Sequence, residues 1–351
     1  MGMAVSRLLA ITMGDPAGVG PEVIVGSWEA PALQSACRRV VVGRTAVIQR
    51  AVSLLGRSLS VERVTSLDRI SADPLLIPVW ECGDELADQV QPGEISAAAG
   101  SASRDALLQA IDWALEGAVD AIVTAPLNKE SLRAAGVKHP GHTELLAERC
   151  RASNVAMMLY LPPGRGQVRG PVGLGVIHVT LHTALRNVFG ELSHSKIVDR
   201  CRLASDFVSQ ILKSHGVPRA ARVGVAALNP HGGENGLFGQ EELELIGPAV
   251  EAAKSLGLPV SGPWPCDTLM HRAAGGEFDA VVAMYHDQGH IALKLLGLHD
   301  AVNVTLGLPI IRTSVAHGTA FDIAWKGRAS PYSMIQATLT ALDLCTARPR
   351  E

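Results

Sequence analysis

The sequence predicts an α/β fold with largely parallel sheets, and three observations support this prediction. Short apolar runs recur along the 351 residues, and helix-length patterns fill the gaps between them. Runs such as DAIVTAP and DAVVAMY are apolar at nearly every position, which is typical of strands buried on both faces. Only 4% of the residues are aromatic although 47% are hydrophobic, so a core of Ala, Val, Leu and Ile is expected.

Strands are predicted where an apolar run ends at a turn-forming or polar residue. These runs are residues 8–13, 39–43, 75–80, 121–124, 155–160, 174–179, 223–228, 280–284 and 302–306. Amphipathic periodicity between them predicts helices over residues 101–116, 193–213, 241–256 and 330–344. In folds of this class the ligand binds at the carboxyl ends of the strands. We therefore expect the functional residues to follow the strands.

Composition excludes several classes of protein. The net charge is −3 and no basic tract is present, so nucleic-acid binding is not expected. No apolar stretch approaches about 18 residues, so no membrane span is expected. The six cysteines are scattered without a CxxC pair, and the first residues do not resemble a signal peptide. These features predict a cytoplasmic protein, for which a small anionic metabolite is still a possible ligand.

The first candidate motif is TMGDPAGVGPE, residues 12–22, between a predicted strand and a helix. Pro21 suits the first turn of that helix, whose N-terminus favours anions. The motif has neither the GK[ST] of a P-loop nor the spacing of GxGxxG. Taken alone, it is equally consistent with a structural turn and with a ligand-binding loop.

A second motif, GHTELLAER, places His142 and Thr143 at the start of a helix. Thr143 could simply cap the helix. His142 is harder to explain as a structural residue, because a neutral imidazole at a helix N-terminus can bind a substrate oxygen or a phosphate.

Three histidines each follow a predicted strand: His178, His231 and His286. One such histidine alone is usually structural or solvated. Three neutral imidazoles on neighbouring strand ends, however, suit zinc and other divalent first-row ions and leave a position open for substrate. His182, four residues after His178, is a rival ligand if a helix begins there.

Lys294, Asn303 and Arg312 offer hydrogen-bond donors for a phosphate or a carboxylate. The alternative is ordinary surface charge. Arg312 lies in the apolar context LPIIRTSV, where burying an unpaired guanidinium would be costly. This context favours an anionic partner.

In order along the chain, the motifs resemble those of the 4-hydroxythreonine-4-phosphate dehydrogenase (PdxA-type) family. They are ITMGDPAGVGPE, TAPLNKE, GHTELLAE, LNPHGGENG, AMYHDQG, VNVTLGLPIIRTS and HGTAFDIAWKG. The last is also similar to the loop that wraps the adenosine half of NAD in isopropylmalate dehydrogenases. The resemblance implies a two-domain isopropylmalate/isocitrate dehydrogenase-like fold with an active-site cleft between the domains. It implies a cofactor-side domain of residues 1–130 plus 298–351, and a metal- and dimer-forming domain of residues 131–297.

The resemblance also implies the site residues. One divalent ion (Zn, Mg, Mn or Co) would be bound by His178, His231 and His286, and NAD or NADP by His317, Gly318, Thr319 and Asp322. The phosphorylated hydroxy-acid substrate would be bound by His142, Thr143, Lys294, Asn303 and Arg312. Lys129 of TAPLNKE would assist, although its match to the family is weaker. The general acid or base would be Lys294, Asp267 or a metal-bound water. The family further implies a homodimer in which one metal histidine comes from the partner subunit.

The implied reaction is oxidation of the C3 hydroxyl of a 4-phosphorylated hydroxy acid, followed by decarboxylation. Some details depart from the vitamin-B6 branch of the family: His290, His182, LFG after HGGEN, and Trp325. They are similar to the branch that oxidises 4-phospho-D-threonate or 4-phospho-D-erythronate, which is the alternative substrate class. A zinc hydrolase and a metabolite-binding regulator are more remote alternatives. A hydrolase has no need for a loop that binds adenosine.

Overall fold

The computed structural model describes residues 7–34, 36–139 and 141–348. The chain divides into two compact units, unit 1 with residues 1–155 and 308–345, and unit 2 with residues 156–307 and 346–351. The domain boundaries that the family resemblance implied, after residues 130 and 297, both lie earlier in the chain than the boundaries of these units, after residues 155 and 307. As a consequence, His142 belongs to unit 1, whereas His178, His231 and His286 belong to unit 2.

Unit 1 contains a sheet of six strands in the order β3-β4-β2-β1-β5-β12. All the pairings within it are parallel, as the sequence predicted. Its central strands are short and fully buried, since every residue of LLAIT and AIVT is covered. The strands are β1 Leu8–Thr12, β2 Arg38–Gly43, β3 Ser60–Val64, β4 Leu76–Glu81, β5 Ala121–Thr124 and β12 Arg312–Val315.

Unit 2 contains strands in the order β11-β6-β7-β10-β8-β9. Strand β6 runs antiparallel to both of its neighbours, and the pairings from β7 to β9 are parallel. The strands are β6 Ala156–Leu161, β7 Leu174–His178, β8 Val223–Ala226, β9 Val260–Trp264, β10 Ala280–Ala283 and β11 Val302–Leu306. The parallel strands β7, β10 and β8 bring their carboxyl ends to one edge.

The helices cover the sheets of both units with apolar faces. In α3, for example, Leu107 and Ile111 pack into the core of unit 1 together with Leu8 and Val40 of the sheet. The helices are α1 Gly20–Trp28, α2 Thr45–Leu54, α3 Ala97–Leu115, α4 Lys129–Ala134, α5 His142–Arg149, α6 Val188–Glu191, α7 His194–Ser214, α8 Gly247–Ser255, α9 Cys266–Ala274, α10 His286–Gly297 and α11 Tyr332–Ala347. No helix within the described residues is long and apolar enough to cross a membrane.

Each predicted strand and helix is present, but the sequence missed several elements. Strand β3 is largely exposed, β9 contains a proline, and β12 reads RTSV, so none of them shows a buried apolar run. The helix predicted over residues 241–256 is also different in detail. It starts as a π-helical segment, Glu242–Ile246, and only then continues as α8. Segments of π-helix are rare and often occur near functional residues.

Candidate functional site

The ends of β7 and β10 in unit 2 bring two of the predicted histidines together. His178 is the last residue of β7 and pairs with Ala283, the last residue of β10. His286 then opens helix α10 directly after β10. Gln288 links this edge to β8, because its side chain accepts from the backbone N–H of Met284 at 2.6 Å and donates to the carbonyl of Ala227 at 2.6 Å.

Four imidazoles form a cluster at this edge, which we call the histidine cluster: His178, His182, His286 and His290. The rings of His286 and His290 stack with centroids 3.8 Å apart, because residues four apart share one face of α10. The His178 ring lies 4.6 Å from His290 and 6.2 Å from His286. Nδ1 of His290 and Nε2 of His178 are hydrogen-bonded at 3.1 Å, one donating and the other accepting.

A glycine allows α10 to approach β7 this closely. A Cβ atom on Gly289 would lie 2.4 Å from Nε2 of His178 and 2.6 Å from a methyl carbon of Val176. Both separations are far shorter than van der Waals contact. The position of His178 against the helix therefore depends on the missing side chain at residue 289.

The buried imidazoles of the cluster are neutral over the physiological pH range. Burial, together with the neighbouring His290 and His286, lowers the pKa of His178 to about 3. Burial also lowers the pKa of His290 to about 4, with contributions from His286 and Lys294. Neutral imidazole nitrogens are the form that binds divalent metal ions.

The cluster fits a metal ion in its chemistry but does not by itself complete the predicted ligand set. Nδ1 of His178 is buried and has no hydrogen-bond partner, so this ring has a nitrogen to spare. Within the described residues, however, no three His, Cys, Asp or Glu side chains are placed to hold one ion. His182 is exposed in a bend rather than a helix, and its ring lies 6.0 Å from that of His286.

His231 does not join the cluster in one chain. It is exposed within a loop, where it is the first of five residues with positive φ, His231 through Asn235. We call residues 228–236 the 231 loop. The three-histidine ligand set thus remains a prediction, with His178 and His286 brought together and His231 placed apart from them.

The other predicted residues of unit 2 lie in different settings. Lys294 is exposed on α10, one turn beyond His290. Its positive charge contributes to the lowered pKa of His290. Asp267 is exposed in the first turn of α9. Asn303 on β11 donates to the sulfur of Met157 at 3.2 Å, while its side-chain oxygen is buried without a hydrogen-bond partner. That oxygen is a candidate acceptor for a ligand.

In unit 1, Arg312 and His142 form the core of the predicted anion site. Arg312 on β12 is only 3% exposed and donates to the hydroxyl of Thr124 at 2.6 Å. Burial lowers the pKa of Arg312 to about 9. The pKa of His142 lies well below its usual value because of burial and the nearby charge of Arg312. A buried cation beside a neutral imidazole is a setting that favours an anionic ligand.

Thr143 follows His142 in α5 but does not cap the helix. The N-cap residue is Gly141, and no side chain makes the capping hydrogen bond. The structural explanation that the sequence offered for Thr143 is therefore wrong. A ligand-binding role for this hydroxyl stays a prediction.

The predicted cofactor residues lie in residues 317–327 of unit 1, which we call the 317 loop. His317, Gly318 and Asp322 are exposed, whereas Thr319 is buried. The loop is attached to the motif at residues 12–22, since the N–H of Val19 donates to the carbonyl of Thr319 at 3.0 Å. The indole N–H of Trp325 donates to the carbonyl of Pro16 at 2.9 Å. The two motifs that the sequence showed separately form one structural element.

Sequence reasoning did not assign roles to His290 or Gln288, although both lie in the motif HDQGH. The spacing of His286 and His290 at i and i+4 was a usable signal, because helical residues at this spacing share a face. Gln288 gave no such signal, since its partners are backbone groups of Ala227 and Met284, just beyond the ends of β8 and β10.

Comparison with known proteins identifies the family. A family model described as "Pyridoxal phosphate biosynthetic protein PdxA" matches residues 35–341. The chain belongs to the PdxA family. It is 43% identical to a 4-hydroxythreonine-4-phosphate dehydrogenase of Geobacter metallireducens, over 97% of this chain and 96% of the relative. It is also 43% identical to a D-threonate 4-phosphate dehydrogenase of Pectobacterium atrosepticum, over 97% of this chain and 99% of the relative.

Solved structures agree with this assignment to the PdxA family. A 4-hydroxythreonine-4-phosphate dehydrogenase from Klebsiella pneumoniae superimposes with a TM-score of 0.86 at 43% identity, covering 98% of this chain and 100% of that one. The isocitrate dehydrogenase of Methylococcus capsulatus, at 16% identity and a TM-score of 0.51 over 97% of this chain and 87% of that one, shares the fold alone. The predicted isocitrate dehydrogenase-like fold and PdxA-type dehydrogenase are confirmed.

Proposed function

We propose that the chain oxidises the C3 hydroxyl of a 4-phosphorylated hydroxy acid with NAD or NADP and a divalent metal ion, and that decarboxylation follows. The substrate that we propose first is 4-hydroxythreonine 4-phosphate. The observation that carries the proposal is the cluster of neutral imidazoles at the ends of β7 and β10, in a chain of the PdxA family. Imidazole clusters at strand ends suit a divalent ion that activates a hydroxyl group.

In unit 2 the proposed metal ligands are His178 and His286. When bound, the ion would lower the pKa of the substrate hydroxyl and stabilise the negative charge that develops during decarboxylation. His178 is buried and fixed by β7, so its ring is held before any ion arrives. Lys294 and Asp267 are the candidates for accepting or returning a proton, because both are titratable and exposed.

In unit 1 the proposed phosphate ligands are Arg312, His142 and Thr143. The guanidinium of Arg312 is oriented by the hydroxyl of Thr124, and a charged donor of fixed direction favours phosphate. Because the imidazole of His142 is neutral, it can donate one hydrogen bond without adding a second buried charge. Lys294 and Asn303 of unit 2 are proposed as further substrate contacts.

The 317 loop is the proposed binding element for NAD or NADP, through His317, Gly318, Thr319 and Asp322. The exposed carboxylate of Asp322 is a suitable acceptor for a ribose hydroxyl. Nδ1 of His317 lies 2.9 Å from the carbonyl of Gly318, which orients the ring within the loop.

We further propose a homodimer in which His231 of the partner subunit completes the metal site. Three observations support this. The metal ligand set lacks a third member within the described part of one chain, and His231 is exposed. Leu237 and Phe238, which follow the 231 loop, are 71% and 48% exposed. Exposed apolar side chains of this size are common at protein interfaces. A cytoplasmic location is proposed because none of the six cysteines, all of them described, forms a disulfide.

One observation favours the alternative substrate, D-threonate 4-phosphate or its erythronate analogue. His290 is a fourth imidazole beside the proposed metal ligands. It is one of the features by which this chain departs from the vitamin-B6 branch, and relatives of both activities are equally similar at 43% identity. A neutral imidazole at this position could hydrogen-bond a substrate hydroxyl that replaces the amino group.

A substrate comparison tests the proposal. Purified protein with NAD or NADP and a divalent metal is incubated with 4-hydroxythreonine 4-phosphate, 4-phospho-D-threonate or 4-phospho-D-erythronate, and reduced nucleotide is followed by absorbance. We expect turnover of at least one, with release of carbon dioxide. Release of inorganic phosphate without reduction of the nucleotide would instead indicate the zinc hydrolase. Binding of a substrate without any turnover would indicate the metabolite-binding regulator.

A further inference from the structure

Two loops of this protein hold most of its unusual backbone. Outside glycine, the described residues with positive φ are Arg151, three in the 231 loop and two in the 317 loop. The three are His231, Glu234 and Asn235, and the two are Ala320 and Trp325, with φ between 41° and 58°. Side chains other than glycine rarely adopt this conformation, and it persists only where the surroundings impose it.

In unit 1 the 317 loop is fastened by one buried carboxylate. Glu22 at the start of α1 is 1% exposed. One of its oxygens accepts from the N–H of Trp325 at 2.6 Å, and the other accepts from the N–H of Gly327 at 2.7 Å. One of the two hydrogen bonds is therefore made to the strained residue Trp325 itself. The guanidinium of Arg50 stacks on the indole of Trp325, with its central carbon 3.9 Å from the ring centroid.

In unit 2 a buried carboxylate also holds the 231 loop, through the two residues at its start. Glu242 is 5% exposed, and one of its oxygens accepts from the N–H groups of Leu228 and Asn229 at 2.7 and 2.8 Å. Its other oxygen accepts from the side-chain amide of Asn229 at 2.9 Å. A Cβ on Gly233 would lie 2.7 Å from the same oxygen, so the carboxylate packs directly beneath the left-handed turn.

The charge state of Glu242 agrees with this arrangement. Burial alone would raise the pKa of Glu242, but the hydrogen bonds from Asn229 and Leu228 outweigh burial and lower the pKa. The carboxylate is therefore ionised, and hydrogen bonds to an ionised acceptor are the stronger kind. Glu242 also begins the π-helical segment Glu242–Ile246, which is a further local irregularity at this point of the chain.

We propose that Glu22 and Glu242 are positioning residues, each of which holds one strained loop in its binding conformation. Glu22 fixes the 317 loop for the nucleotide, and Glu242 fixes the 231 loop so that His231 is presented to the metal. This assignment rests on the proposed function for what the loops bind. That each carboxylate holds its loop in place rests only on the hydrogen bonds and on the backbone conformation.

The two sites serve as controls for one another. The variants Glu22→Gln and Glu242→Gln keep the size of the side chain but remove its charge and turn one acceptor into a donor. In Glu22→Gln this donor faces a backbone N–H, and in Glu242→Gln it faces either backbone N–H groups or the side-chain amide of Asn229. Binding of NAD and of Zn²⁺ to the full chain is measured by calorimetry, and amide hydrogen exchange is measured without ligands. We expect Glu22→Gln to weaken NAD binding about tenfold or more and leave Zn²⁺ binding unchanged, and Glu242→Gln to do the reverse.

Hydrogen exchange separates the failure of this proposal from the failure of the proposed function. Exchange should accelerate at Trp325 and Gly327 in Glu22→Gln, and at Leu228 and Asn229 in Glu242→Gln, whatever the loops bind. Unchanged exchange in both variants, or an equal loss of both affinities in either one, would overturn the positioning roles. If the wild-type chain bound neither NAD nor Zn²⁺, the proposed function would be wrong. The hydrogen-exchange rates would still show whether each carboxylate holds its loop in place.

A second pair of variants covers the case in which a glutamine variant does not fold. Glu22→Asp and Glu242→Asp keep the charge but shorten the side chain by one carbon. They should show the same separation of the two affinities with smaller changes, and an effect on the wrong ligand would contradict the proposal.

Discussion

Nδ1 of His290 lies 3.1 Å from Nε2 of His178, which links the middle of helix α10 to the last residue of strand β7. His290 is 6% exposed and His178 is 4% exposed, so water does not compete for this hydrogen bond. Because the ring of His290 also stacks on His286, one side chain contacts both proposed metal ligands of unit 2.

We expect His290→Ala to weaken binding of Zn²⁺ or Co²⁺ by about 10- to 100-fold, the usual effect of removing a side chain that orients a metal ligand. Calorimetric titration of the metal-free protein measures the change. His182→Ala is the matched control, since His182 is exposed and its ring is 6.0 Å from His286. A larger loss in the control would make His182 rather than His178 the ligand.

Gly289→Ala should destabilise the protein, although alanine normally favours a helix over glycine by about 1 kcal/mol. The new methyl group would lie 2.4 Å from Nε2 of His178, and such overpacking costs about 1–3 kcal/mol. Urea unfolding gives the free energy of unfolding, and a metal titration shows the displacement of His178. Gly190→Ala on α6, where a Cβ meets nothing within 4 Å, should not destabilise; equal behaviour of the two variants would contradict the packing.

Arg312→Gln should abolish most of the stabilisation that inorganic phosphate gives to the wild-type protein. A hydrogen bond to a charged group contributes about 1.5–3 kcal/mol, which corresponds to at least a tenfold weaker phosphate affinity. Thermal unfolding at increasing phosphate concentration measures this effect. Arg133→Gln replaces an exposed arginine of the same unit and should respond like wild type. If Arg312→Gln also kept the full response, phosphate would bind elsewhere.

The metal-free protein should lose stability as the pH falls below about 6.5. The folded-state pKa values of His178 and His290 are lowered from 6.5 to about 3 and about 4, so the unfolded chain binds more protons between these values and 6.5. The free energy of unfolding should therefore fall with decreasing pH, by at most about 1.4 kcal/mol per pH unit for each imidazole. Urea unfolding in chelator at several pH values measures the slope. His178→Gln and His290→Gln should each reduce it, and an unaltered slope would show that other groups cause it.

The sequence predicted the strand ends well because buried parallel strands are continuous apolar runs. His178 and His286 lie close together because His178 ends β7 and His286 follows the adjacent parallel strand β10. This could be anticipated from the alternation of strands and helices. His231 also follows a strand, β8, that neighbours β10. Its exposed position could not be anticipated, because it depends on the left-handed backbone of the 231 loop.

The residues that the sequence did not reveal act through contacts that are distant along the chain. Glu22 binds backbone groups of Trp325 and Gly327, and the identity of the partner residues has no influence on such a bond. Gln288 binds the carbonyl of Ala227 in the same manner. Contacts to the backbone leave no residue pattern, and only the fold shows them.

Reconstitution of chelator-treated protein tests the central claim most directly. Protein freed of metal is assayed for reduced nucleotide with NAD or NADP and the three phosphorylated hydroxy acids, before and after addition of Zn²⁺, Mg²⁺, Mn²⁺ or Co²⁺. The account predicts no turnover without metal, restoration by at least one ion in the wild type, and no restoration in His178→Ala that still folds. Turnover that is independent of metal, or undiminished in His178→Ala, would contradict it.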